Sequence, residues 1–239
     1  MKAIILAAGL GTRLKPLTDN KPKALVEVNG KTLLQINIEQ LSKSGIKDIV
    51  INTHHFSDLI KNFLKNHNNF NLNIQISDET GLLLDTGGGI KKALSLLGTN
   101  KPVLIQNVDI YSNINYNNML SSHLKNKSVA TLAVNNRESS RYLLFDKKNY
   151  LSGWGNSKTG EKIVTRESYD LEQYAFCGIH IVSPDILNLM PDKKRFNIIN
   201  TYLKISENFK ISNYQYNETW FDIGTLQRLN KFEIFLNKK

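Results

Sequence analysis

Apolar and polar positions along the first half of the chain form two kinds of segment that take turns. Lys2 to Ala8 is a nearly continuous apolar run ending in a glycine-rich loop, the pattern of a strand covered on both faces. Thr32 can cap a helix whose Leu34, Ile38 and Leu41 recur at i, i+4 and i+7, and Gly45 is placed to stop it. Asp48 to Thr53 reads as the next strand. Ser57 can cap a second helix carrying Leu59, Ile60, Phe63 and Leu64, after which Leu72, Ile74 and Ile76 alternate as strand positions do. A third helix holds Ile90, Ala93, Leu94 and Leu97, and the strand Val103 to Ile105 follows it. Strands that alternate with helices in this way predict an α/β fold around a mostly parallel sheet with right-handed crossovers.

Beyond about Val134 the rhythm shifts to short β segments, Tyr142 to Phe145, Tyr150 to Trp154 and Tyr174 to Val182. Two short helices follow, near Pro184 to Met190 and Phe196 to Ser206. The strands Ile211 to Tyr216 and Trp220 to Asp222 come next, and Leu229, Phe232 and Leu236 mark a closing helix. This β-rich half reads as a lid built onto the sheet. Neither a Pro/Ser-rich linker nor an internal repeat divides the halves, so residues 1–239 are expected to form one domain. The asparagine-rich stretch Asn66 to Asn73 reads as a solvated loop.

Composition excludes several classes. With 41% hydrophobic and 22% charged residues the chain is an ordinary globular one, not a disordered, collagen-like or disulfide-scaffold sequence. The single cysteine, Cys177, can close no intrachain disulfide and build no cysteine-ligated zinc site, so the cytoplasm is the expected compartment. Lys2 and the apolar run to Leu10 imitate a secretory leader, but Arg13 and Lys15 stand where its cleavage site would be. No apolar run approaches the length of a membrane span. The net charge of +10 is carried by lysines scattered singly or in pairs, such as Lys91 with Lys92 and Lys193 with Lys194. Without a basic block or an RNA-binding aromatic motif, nucleic acid is not the expected partner, and phosphate-bearing small molecules are.

The segment richest in chemistry is Leu6-Ala7-Ala8-Gly9-Leu10-Gly11-Thr12-Arg13-Leu14, followed by Lys21-Pro22-Lys23-Ala24-Leu25. A glycine turn after a buried first strand lets backbone N–H groups approach phosphates, and Arg13 can fork onto their oxygens. The same glycines could simply make a tight strand-to-loop turn. Leu14 stands where a dinucleotide fingerprint needs glycine, and the segment lacks the Gly-Lys-Ser/Thr of a Walker A loop.

This segment resembles the N-terminus of the sugar 1-phosphate nucleotidylyltransferases. Three further segments agree in order: Leu84-Asp85-Thr86-Gly87-Gly88-Gly89-Ile90, Asn107-Val108-Asp109 and Trp220-Phe221-Asp222-Ile223-Gly224-Thr225. Within that family the glycine run and the short length are most similar to the N-acetylmuramic acid 1-phosphate uridylyltransferases, with mannose 1-phosphate guanylyltransferases next. The resemblance implies a single Rossmann-like, mixed, mostly parallel sheet flanked by helices, with the β-rich half binding sugar. It also implies an enzyme that joins an NTP, UTP before GTP, to a sugar 1-phosphate and releases pyrophosphate.

It further implies roles for particular residues. Gly11, Thr12 and Arg13 would hold the outer phosphates, and Lys23 would neutralise charge between the sugar phosphate and the α-phosphate; Arg13 and Lys23 are the catalytic candidates. Ala7, Ala8, Gly9, Gly87 and Gly88 would complete the nucleotide site, the glycine run by opening the third helix with N–H groups towards the ligand. Asn107 and Gly178 would face the sugar. Asp109 and Asp222, each just past a short apolar strand, would lie at carboxyl ends in one crevice with Gly11 and Lys23, and their hard oxygens suit magnesium. Val108 stands where relatives carry glycine.

Other readings use the same residues differently. A nucleotide-sugar glycosyltransferase would want a paired Asp-x-Asp, and Tyr111 occupies the second place. A choline-phosphate cytidylyltransferase shares the N-terminal motif but fits the three glycines poorly. A silent nucleotide-sugar sensor would have lost Arg13, Lys23 or an aspartate, and all are present. His54 and His55 lack metal-ligand spacing, and Cys177 shares a strand face with Ile179 as a small hydrophobe does. Arg137 and Arg141 could reach a substrate carboxylate or phosphate from the lid, or form a solvated loop.

Overall fold

A computed structural model describes residues 1–238 of the protein. The N-terminal apolar run becomes β1 (Lys2–Leu6), whose Ala3, Ile4 and Ile5 are wholly buried, as a strand covered on both faces must be. The chain continues through a short hairpin of β2 (Glu27–Val28) and β3 (Lys31–Thr32), then α1 (Leu33–Lys43), β4 (Asp48–Thr53) and α2 (Ser57–Asn66). After these come β5 (Asn73–Asp78), α3 (Asp85–Leu97), β6 (Val103–Asn107), β7 (Ile110–Ser112), α4 (Tyr116–Asn126) and β8 (Ala130–Asn135). The second half supplies β9 (Arg141–Phe145), β10 (Leu151–Asn156), β11 (Lys162–Val164), β12 (Glu172–Val182), α5 (Ile198–Ser206), β13 (Ile211–Gln215), β14 (Trp220–Asp222) and α6 (Leu226–Leu236).

Most strands share one mixed sheet in the order β11-β10-β9-β12-β6-β1-β4-β5, with β8 paired to β12 and β13 to β8. Its centre is parallel, as the strand and helix alternation predicts: β1 runs alongside β4 and β6, and β4 alongside β5. The eleven-residue β12 joins the two halves. Glu172 to Tyr174 pair antiparallel with β9, Ala175 onward pairs with β8 across a break in register between Phe176 and His180, and Ile179 to Val182 pair with β6. The β-rich half is therefore an extension of the main sheet. Alternate side chains of β1 feed opposite faces: Ile4 packs with α3 and α5 around Ile90, Leu94, Ile198 and Tyr202. Ala3 and Ile5 pack with α1, α2 and α4 around Leu34, Ile38, Ile60 and Met119. A third apolar cluster ties Leu229 and Phe232 of α6 to Leu14, Val26 and Leu33.

Helix α4 and strand β8 lie where the sequence pattern predicts nothing. The helix buries only Tyr116, Met119 and His123 of a largely polar segment. All six residues of β8 are buried, including Thr131, which shares hydrogen bonds with His123 and Ser212. The asparagine-rich loop contains a 3-10 turn over Asn68–Asn71 whose residues all have φ between 48° and 56°, a region asparagine tolerates better than most.

Two buried histidines make the fold pH-sensitive. His180 of β12 stacks on Phe176 and meets Tyr202 edge-on, with neither ring nitrogen hydrogen bonded among the described residues. Burial pushes His180 down to about 3 and His123 down to about 4. In the unfolded chain each takes up a proton near pH 6.5, so below that pH the unfolded state binds more protons and stability falls with falling pH. At pH 5 this amounts to about 2 kcal/mol per histidine. His180→Phe should fold at least as stably at pH 7 and lose less of its thermal midpoint between pH 7 and pH 5; an unchanged pH slope would show that His180 is not the group responsible.

Candidate active site

The parallel register brings the site together. Leu6 stands opposite Asn52 of β4 and Asn107 of β6, so three strands end at one level. The chain leaves β1 at Ala7, whose N–H donates to Asn52 Oδ1 at 2.7 Å. Gly11, at φ 67°, turns the loop into the 3-10 turn Thr12–Leu14, and Leu14 anchors it in the core. Thr18 Oγ1 closes the loop on the Gly11 carbonyl at 2.9 Å. Around this loop opens a cavity of about 430 Å³. Ala7, Ala8, Gly9, Gly11, Thr12 and Arg13 line one side, and Lys23, Asn107 and Asp109 another.

Two of the charges inside are paired with each other. Lys23 lies on the 3-10 turn Lys23–Leu25 behind Pro22, and its ammonium forms an ion pair with Asp109, both side chains being mostly buried. Asp222 comes to the same place through the two-stranded pairing of β14 with β7, which sets Asp222 opposite Ile110. The Ile223 N–H donates to the Asp109 carbonyl at 2.7 Å, so the two aspartates adjoin although far apart in sequence. Asp222 pairs with Arg228 of α6, while its Oδ1 is buried with no hydrogen-bond partner among the described residues. A Cβ on Gly224, which lines the cavity, would stand 2.6 Å from that oxygen and 3.0 Å from Arg13 Nη2. Asp222 and Arg13 thus flank one backbone position.

The glycine run is placed otherwise than expected. Helix α3 begins at Asp85, and the N–H groups of Gly87 and Gly88 both point to the Phe196 carbonyl, at 2.9 and 3.3 Å, not into the cavity. A Cβ at Gly87 would strike the Phe196 ring at 2.3 Å, and one at Gly88 the Lys194 carbonyl at 2.1 Å. These glycines admit the 194–196 segment, so Gly87 and Gly88 face protein. Asp85 and Thr86 line the cavity in their stead. Gly178, at φ 75° in the irregular part of β12, lies beside Asn107, where an added Cβ would come within 3.0 Å of its Nδ2. Val108 turns its side chain into the core, and its backbone is held by Leu6 and Asn37 at 3.0 and 2.9 Å.

Sequence reasoning missed Asn52 and Glu79, both almost fully buried and both on the cavity wall. Glu79 sits just past β5, outside any motif, and only a polar residue in the apolar strand β4 hinted at Asn52. In the β-rich half, Arg137 donates to the Phe176 carbonyl at 2.8 Å and lies 4.4 Å over the Trp220 ring. Burial lowers its pKa. Arg137 lines a second cavity of about 710 Å³ with Lys158, Tyr142, Gln173 and Arg228; Arg141 does not. The Cys177 thiol is buried and pushed up to about 12 by desolvation. His54 Nδ1 is bonded to the Glu79 carbonyl at 2.7 Å, and the His55 ring packs on Phe56.

The chain as a whole is similar to known proteins. The chain is 30% identical over 234 residues to the N-acetylmuramate alpha-1-phosphate uridylyltransferase of Caulobacter vibrioides, covering 94% of this chain and 92% of that one. It is 28% identical to a mannose-1-phosphate guanyltransferase of Aspergillus oryzae, spanning 94% of this chain and 61% of the relative. Among solved structures, HddC from Yersinia pseudotuberculosis complexed with GMP-PN superposes with a TM-score of 0.80 at 22% identity, covering 98% of this chain and 99% of that one. A UDP-glucose pyrophosphorylase complexed with UDP-glucose gives 0.77 at 17%, covering 100% and 99%. The Nucleotidyl transferase family model matches residues 2–239, and with the loop, lysine and paired aspartates gathered at one sheet edge, the chain belongs to that family.

Proposed function

We propose that residues 1–239 act as one catalytic unit that joins UTP to N-acetylmuramic acid 1-phosphate, giving the nucleotide-sugar, a cell-envelope precursor, and pyrophosphate. One observation carries this reading: a single cavity gathers the backbone loop Ala7–Thr12, Arg13, Lys23 and Asp109, the groups needed to hold two phosphates against each other. The main obstacle to such a reaction is repulsion between an anionic nucleophile and an anionic electrophile, which fixed cations in a partly dry site offset. Loop N–H groups and Arg13 take the outer phosphates, and Lys23 sets its ammonium beside the α-phosphate. A sugar phosphate oxygen then attacks the α-phosphorus in line, the bond to the β-phosphate oxygen breaks, and pyrophosphate leaves held by Arg13.

Asp109 and Asp222 would hold a magnesium ion. The donors fit: two aspartates whose backbones are joined by the bond from the Ile223 N–H to the Asp109 carbonyl, one of them with a buried unpaired carboxylate oxygen, offer the hard oxygens that would hold such an ion. No group of three or more potential metal ligands occurs among the described residues. When bound, the ion supplies positive charge that stabilises the phosphates. No helix among the described residues is long and apolar enough to cross a membrane. We place the reaction in the cytoplasm, where nucleoside triphosphates are found.

The choice of substrates rests on two supports. The Caulobacter relative, similar along nearly the whole of both chains, is named a uridylyltransferase for N-acetylmuramate 1-phosphate. The lactyl carboxylate of that sugar, absent from mannose, calls for a cationic subsite, and the second cavity offers Arg137, Lys158 and Arg228.

Incubation with each NTP, magnesium and a panel of sugar 1-phosphates should release most pyrophosphate with UTP and N-acetylmuramic acid 1-phosphate. Preference for GTP and mannose 1-phosphate would reassign the substrates. Lys23→Ala should lower turnover by roughly 10³-fold or more, since charge is lost at the reacting phosphates; wild-type turnover would remove Lys23 from the mechanism. Arg137→Met, which keeps an apolar stem against Trp220, should raise KM for the acidic sugar phosphate about tenfold or more while leaving KM for neutral N-acetylglucosamine 1-phosphate in place. Equal losses for both sugars would show that Arg137 does not read the carboxylate.

A further inference from the structure

Glu79 is a buried carboxylate, 2% exposed, that forms no ion pair among the described residues. A charge in that position ordinarily needs a partner. Its oxygens instead accept two N–H donors: Oε1 from Asn52 Nδ2 at 2.8 Å and Oε2 from the Leu84 backbone at 3.0 Å. Asn52 in turn accepts the Ala7 N–H on Oδ1 at 2.7 Å. An unbroken chain of hydrogen bonds therefore runs from Ala7 through Asn52 and Glu79 to Leu84. Its ends are the first residue of the glycine loop and the residue before α3, the two walls of the main cavity. Gly89 leaves room for the pair, since a Cβ there would lie 2.6 Å from Glu79 Oε1 and 2.7 Å from Asn52 Nδ2.

We propose that the Asn52–Glu79 pair is a positioning element that fixes the gap between the glycine loop and the start of α3, and so sets affinity for the nucleotide. Both residues act through Ala7 and Leu84, whose segments carry the groups that line the cavity. This rests on the nucleotide occupying that cavity, as proposed above. Donor and acceptor count accounts for the arrangement: Ala7 and Leu84 each offer an N–H, that of Ala7 also reaching the Asn52 carbonyl at 3.2 Å, and the pair presents one side-chain acceptor to each end and shares one donor between its members. The exchanged pair meets the same count. With Asp at 52 and Gln at 79, the aspartate accepts from Ala7 and from the glutamine amide, and the glutamine oxygen accepts from Leu84.

Single changes break the count. Glu79→Gln leaves an amide donor facing another donor, either the Asn52 amide or the Leu84 N–H, and a buried donor without an acceptor is costly. Glu79→Gln should raise KM for UTP about tenfold or more, with KM for the sugar phosphate and kcat at saturating UTP changed much less. Asn52→Asp/Glu79→Gln should return KM for UTP to within about threefold of wild type. Hydrogen exchange gives a readout independent of turnover: the Leu84 amide should be protected in the wild type, open in Glu79→Gln and protected again in the exchanged pair. Should Glu79→Gln not fold, Asn52→Ser, which removes both side-chain bonds, takes its place. The inference is overturned if the single variant leaves KM for UTP unchanged, if it affects both substrates equally, or if the exchanged pair does not recover. Calorimetry of wild type with UTP stands apart: no binding there sinks the proposed function, while the exchange data still decide whether the pair ties the two segments.

Discussion

Everything chemical in this molecule hangs on the parallel register of β6, β1 and β4. Leu6 lies level with Asn107 on one side and Asn52 on the other, and each functional segment starts within a few residues beyond that level. The glycine loop leaves β1, Asp109 follows β6, and Glu79 follows β5, which is in register with β4. Carboxyl ends of parallel strands form a crevice because each chain must leave the sheet there to begin its crossover. The register itself is held by burial on both faces. A slip of one residue would send Ala3 and Ile5 into the space that Ile4 fills and abolish both cores at once.

The site combines a chain of net charge +10 with a cavity in which Lys23 is partnered before any ligand arrives. Lys23 holds Asp109, and Arg228 holds Asp222. The ion pair with Asp109 offsets the cost of burying the Lys23 ammonium and holds it in place. A phosphate that enters must compete for Lys23 with Asp109. That competition costs part of the binding energy but supplies a lysine whose position is settled in advance, the condition under which a fixed charge favours the transition state.

Much of this was legible in the sequence because the relevant signals are local. A two-face apolar run followed by glycines predicts the central strand and its loop, and period-3.6 spacing predicts α1, α2 and most of α3. The aspartates were readable from the strands that precede them, with tertiary pairing of β7 and β14 supplying the rest. What escaped depends on contacts between distant segments. Helix α4 buries too few apolar residues to show a period, and β8 hides Thr131 by a hydrogen bond to His123 that no spacing announces. Asn52 on β4 and Glu79 just past β5 are 27 residues apart and meet through the β4–β5 register.

The glycine run shows why a motif can belong to a site without touching what the site holds. Read locally, glycines at a helix start suggest amides pointed at a ligand. In the fold each admits a different neighbour: Gly87 the ring of Phe196, Gly88 the carbonyl of Lys194, and Gly89 the Asn52–Glu79 pair. Phe196 returns a hydrogen bond to the Leu84 carbonyl at 3.2 Å, and Ile198 donates to Thr86 Oγ1 at 3.1 Å. The first turn of α3 is thereby clamped from α5 on one side and from β4 and β5 on the other. Larger side chains at any of the three positions would push one clamp away. Asp85 and Thr86, which do line the cavity, would then lose the fixed position that their neighbours impose, so the glycines act on this wall of the cavity through packing and not through their own amides.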